Sequence, residues 1–87
     1  MSIAHKFQMI RNRLRGRRRA MLFARLSQIR SLTENISSEN ERLHKDMAEF
    51  AGESFQVYGH PGAIAHNNEV LKNLAREERS LEIKLGI

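Results

Sequence analysis

Two pairs of side chains in this sequence have a spacing that chemistry could use: Glu41 with His44, and His66 with Glu69 in the reverse order. Residues three apart share a helix face, and a glutamate followed at that interval by a histidine is the helical half of a carboxylate-bridged di-metal centre. Such a centre also needs glutamates at facing core positions, and the apolar series described below supplies only Glu78. His5, His44, His60 and His66 are the only histidines, and cysteine is absent. No glycine-rich phosphate loop and no Ser–His–Asp set in a recognisable context accompanies them. The residues therefore point away from catalysis, and no catalytic residue, metal or cofactor is expected. His44 and His66 are read as helix-surface groups.

A denser group of charged side chains lies near the start. Arg11, Arg13, Arg15, Arg17, Arg18 and Arg19 place six guanidiniums within nine residues, and Arg25 follows. A guanidinium is always charged, and its planar fork grips a phosphate or a guanine edge through two parallel hydrogen bonds. Residues 1–33 carry nine basic side chains and no acid, whereas residues 34–87 carry six basic and ten acidic ones. The formal charge of +5 is thus what is left of a +9 segment and a −4 segment. A field concentrated at one end implies a partner of opposite sign. The seven arginines are the candidate polyanion-binding residues, and nucleic acid is the first partner they suggest, since a helix ringed by guanidiniums suits a groove with phosphates on both walls.

Apolar residues are interleaved with these charges. Ile3, Phe7, Ile10 and Leu14 recur at helical spacing, with Met9, Met21 and Phe23 nearby. At about 100° per residue, the four fall within a narrow arc. Arg13 and Arg17 lie on one side of it, Arg11 and Arg15 on another, and Arg18 falls near the stripe itself. The apolar face is interrupted between Leu14 and Met21, which limits any contact with a membrane surface to a short anchor. No apolar run approaches the roughly 20 residues that a spanning helix needs, so a membrane partner is not expected. The alternative to nucleic acid is a protein: an adaptor, chaperone or inhibitor that docks on an acidic surface of a larger machine. Its candidate interface residues are Phe7, Ile10, Leu14, Met21, Phe23 and Asn40, with the arginines as steering charges.

These residues must be positioned by helices. Leu22, Leu26, Ile29, Thr33, Ile36, Asn40, Leu43, Met47 and Phe50 step by four and three without interruption, a heptad seam with only two polar members. A second seam runs Ile64, Asn67, Leu71, Leu74, Glu78, Leu81, Leu85, and the upstream stripe is displaced by one residue from the first seam. The spacing predicts one helix from about residue 3 to 50 and another from about 61 to 85. Ser2 is a suitable N-cap, Pro61 suits a first helical turn, and Gly86 suits a left-handed C-cap. Gly16 and a capping-box pattern at Ser38 and Glu41 are the weak points of the long helix, although the seam runs through the second. Glu53 to Tyr58, between Gly52 and Gly59, suits a loop or short strand, and Phe55, Val57 and Tyr58 offer a further contact point.

The expected architecture is all-α: a long helical hairpin with coiled-coil-like seams. Residues 1–20 form an arginine-rich projecting helix end, 21–50 the first hairpin helix, 51–60 the loop, and 61–87 the second hairpin helix. Two helices give a thin core, so dimerisation into a helical bundle is expected, with Asn40 either pairing with its own copy to fix register or facing solvent. The basic stretch ahead of a heptad seam resembles the layout of basic-region leucine zippers. The order of elements resembles basic helix–loop–helix proteins. The arginine spacing departs from the first family, and no acid precedes Glu34 where the second has a base-reading glutamate, so neither is assigned. The sequence reads as a non-enzymatic, intracellular (cytoplasmic) binding protein without disulfides.

Overall fold

In the computed structural model, which describes residues 2–50 and 59–87, the chain is a two-helix antiparallel hairpin. Helix α1 spans Ile3–Glu49 and helix α2 spans His60–Leu85. The ends follow from the capping residues. The Ser2 hydroxyl accepts a hydrogen bond from the His5 amide at 3.3 Å, supplying one of the partners that a first helical turn lacks. Pro61 sits in the first turn of α2, where its missing donor costs nothing. Gly86 closes α2 in the left-handed region at φ 73°, a conformation open to glycine without strain. Between its ends α1 passes unbroken through Gly16 and Ser38. The expected contact residues Phe55, Val57 and Tyr58 lie outside the described residues.

Packing follows the two seams. Every member of the first, from Leu22 to Phe50, and of the second, from Ile64 to Leu85, is buried or half-buried. Leu26 and Ile29 are fully enclosed, and they form the tightest part of the core with Leu74, Leu81 and Leu85, flanked by Leu22, Ile36 and Val70. Enclosing such a side chain contributes about 1.5–3 kcal/mol each, so these few residues hold the hairpin closed. Of the polar seam positions, Asn40, Asn67 and Glu78 are paired, whereas the buried Thr33 hydroxyl has no hydrogen-bond partner among the described residues. Asn40 is buried, its Nδ2 donating to Asn68 Oδ1 at 3.0 Å and its Oδ1 accepting from Asn67 Nδ2 at 2.9 Å. Its partners are therefore on the opposite helix of the same chain, neither on a second copy nor in solvent. Glu78 in the second seam meets Arg30 Nε at 3.3 Å.

The two helices differ in length, and this shapes the molecule. At about 1.5 Å per residue α1 is roughly 70 Å long and α2 roughly 39 Å. Antiparallel pairing matches Leu85 to the Leu22 region, and the molecule measures 77 × 18 × 14 Å. Residues 2–21 extend past the end of α2 as a projecting arm, and every one of them is exposed. The seam stops there for a chemical reason: stepping back from Leu22 by three and four along its face gives Arg19 and Arg15, which cannot line an apolar core.

Candidate interface on the projecting arm

The arm has an apolar stripe with a cationic border on each side. Ile3, Phe7, Ile10, Leu14 and Met21 lie within an arc of about 60°, at three- and four-residue steps of which only the position of Arg17 is polar. In the matching heptad frame they occupy the a and d positions. The e and g positions beside them include Lys6, Arg11, Arg13 and Arg18. Phe7 is 62% exposed, Ile10 53% and Leu14 59%, values far from those of a core residue. Met9 and Phe23 are also exposed but lie off this stripe, toward the back of the helix. The Phe23 ring is covered in part by the Arg19 guanidinium, 5.3 Å from its centroid, a cation–π contact.

The basic residues divide into two populations. Within the hairpin, Arg25, Arg30 and Arg42 are partnered. Arg25 binds Glu77 in a two-pronged pair, Nε to Oε1 at 2.8 Å and Nη2 to Oε2 at 3.0 Å, and its remaining nitrogen reaches Gln28 Oε1 at 2.8 Å. That hydrogen bonding, reinforced by the opposite charges, holds the Glu77 carboxyl below the usual carboxylate range and pushes the Arg25 guanidinium up. Arg30 spans Glu78 and Glu82, and Arg42 approaches Asp46 at 3.5 Å. No carboxylate among the described residues lies within ion-pair distance of Lys6, Arg11, Arg13, Arg15, Arg17, Arg18 or Arg19. Where α2 ends, Arg15, Arg18 and Arg19 join Lys84 around an open notch of about 550 Å³ over Leu22 and Leu85.

Set against the expected site, six of the seven arginines sit together on the free arm. Arg25 belongs instead to the hairpin, because folding back the chain brings Glu77 to it. Of the expected interface residues, Phe7, Ile10, Leu14 and Met21 share one exposed stripe; Phe23 lies apart from them and Asn40 is enclosed in the hairpin. The signal for Arg25 was present in the second seam, where Glu77, Glu78 and Glu82 stand beside the positions that an antiparallel return carries past Arg25 and Arg30. Glu41, His44, His66 and Glu69 all face solvent, and no cluster of three potential metal ligands exists among the described residues. No described helix is long and apolar enough to cross a membrane. No protein-family model, curated protein sequence or solved structure matches this chain.

Proposed function

We propose that this chain is a non-enzymatic docking module, an adaptor or inhibitor whose arm binds an acidic protein surface while the hairpin holds the arm rigidly outward. The observation that carries the reading is the uncovered apolar stripe. A polyanion alone has no use for five large apolar side chains at heptad spacing, whereas a protein partner accounts for the stripe and the charges together. The hairpin core closes without the stripe, so packing within the chain does not explain it. A homodimer joined through the stripe would bring Lys6, Arg11, Arg13 and Arg18 against like charges, which opposes it.

A second reading, nucleic-acid binding by Arg11, Arg13, Arg15, Arg17, Arg18 and Arg19, is favoured by these cations, which no carboxylate among the described residues neutralises. One comparison separates the two. Wild type and Leu14→Asp are checked for equal helicity and melting, then tested for the proteins each retains from nuclease-treated lysate of its own cells. Docking predicts a partner retained by the wild type alone, after nuclease treatment. Retention lost on nuclease treatment, together with a duplex affinity that falls steeply with salt at a slope of about −0.9 per phosphate neutralised, assigns the arm to nucleic acid instead.

A further inference from the structure

The arm defines its partner more narrowly than as an acidic protein. We infer that the arm pairs with an acidic amphipathic α-helix of about three heptads, apolar at its own a and d positions and acidic at e and g, with one acidic residue in its seam facing Arg17. This rests on the docking reading above and gives that same surface a specific occupant.

Shape supports a helix. The stripe is narrow, straight and about 28 Å long from Ile3 to Met21, with steps of four and three, the pattern that receives a second helix by knobs-into-holes packing. Past Met21 the same frame continues into Ala24 and Gln28, so the docking surface ends where the hairpin begins. Charge fixes the partner's flanks. Lys6 and Arg13 border the stripe on one side, Arg11 and Arg18 on the other, and none of them is neutralised by a carboxylate among the described residues. Glutamates at a partner's e and g positions would meet them, while a second copy of the arm would be repelled. Arg17 refines the register. It stands at a seam position between Leu14 and Met21, where its desolvation on docking is offset only by an acid in the opposite layer. One such buried polar pair sets register and direction, because any slip leaves it unmatched.

The test uses the full-length chain and synthetic three-heptad peptides with leucine at a and d and glutamate at e and g. Two of them carry one glutamate in the second core layer from either end, one for each helix direction; a third has an all-leucine seam. One of the two glutamate-layer peptides is expected to bind tightest, and Leu14→Glu is expected to weaken it roughly 30-fold or more, as loss of a central anchor does. Arg17→Leu is expected to reverse the preference toward the all-leucine seam. Equal binding by a peptide of the same composition with scrambled spacing would overturn the proposal, since charge alone would then suffice. So would a chain that is dimeric until Leu14→Glu is introduced, which makes the stripe a contact between copies. If no acidic peptide binds while partner capture still depends on Leu14, the docking reading stands and the helical partner falls. Circular dichroism of each variant guards against misfolding as the cause of a loss.

Discussion

At the scale of single residues, the hairpin is defined by where its polar groups find partners. Asn40, Asn67 and Asn68 form an amide ladder across the seam, and the ladder holds in only one register because a shift leaves a buried amide without a partner. Asn40→Ala removes both bonds, each contributing about 0.5–1.5 kcal/mol, so a loss of about 1–3 kcal/mol in urea unfolding is expected. The Arg25–Glu77 pair predicts a pH effect. Glu77 titrates lower in the folded chain than in the unfolded one, where a glutamate loses its proton near about 4.3. The pair's contribution is therefore complete above that value and is lost as pH falls through the lowered folded value. Glu77→Gln should flatten the acid limb of the stability profile, and added salt should diminish the difference, as both side chains are well exposed. Asn40 was legible as a polar seam member, but its partners were not. Naming them requires the register of a second helix some 27 residues away, and that register is set by the whole return of the chain, not by any local pattern.

At the scale of elements, heptad spacing carried most of the fold. The seams located both helices to within a residue or so, because an unbroken four-three pattern outweighs a single glycine at position 16 or a lone capping box at Ser38 and Glu41. What the spacing leaves open is which stripes find a partner. The stripe from Ile3 to Leu14 and the seam from Leu22 onward look alike in spacing, and the shorter length of α2, with Arg15 and Arg19 on the seam's own face, divides them into one that is exposed and one that is enclosed. That division is testable in one pair of variants. Ile29→Ala should destabilise the hairpin by about 2–5 kcal/mol, whereas Leu14→Ala should change stability by less than about 0.5 kcal/mol. Denaturant titrations of the two check it, and equal losses would place Leu14 in a core.

At the scale of the whole molecule, charge and shape are segregated in the same way. The segment from residue 34 onward folds back over Leu26 and Ile29 and neutralises Arg25 and Arg30, leaving the remaining seven cations of the first 33 residues on a rod with no acid of its own. Mutual repulsion along that rod raises the free energy of the isolated chain, and an acidic partner relieves it. The basic character of the arm was plain from composition. Its form, an apolar centre with two cationic borders, emerged once Asn40 was seen to pair within one chain, so that this amide needs no second copy to satisfy it. Sedimentation equilibrium of the free wild-type chain at physiological salt tests this most directly. A monomer of 10.1 kDa is predicted, with the arm's stripe open to a different protein. A stable dimer that Leu14→Glu converts to monomer would contradict it, because the stripe would then already be covered by the chain's own copy.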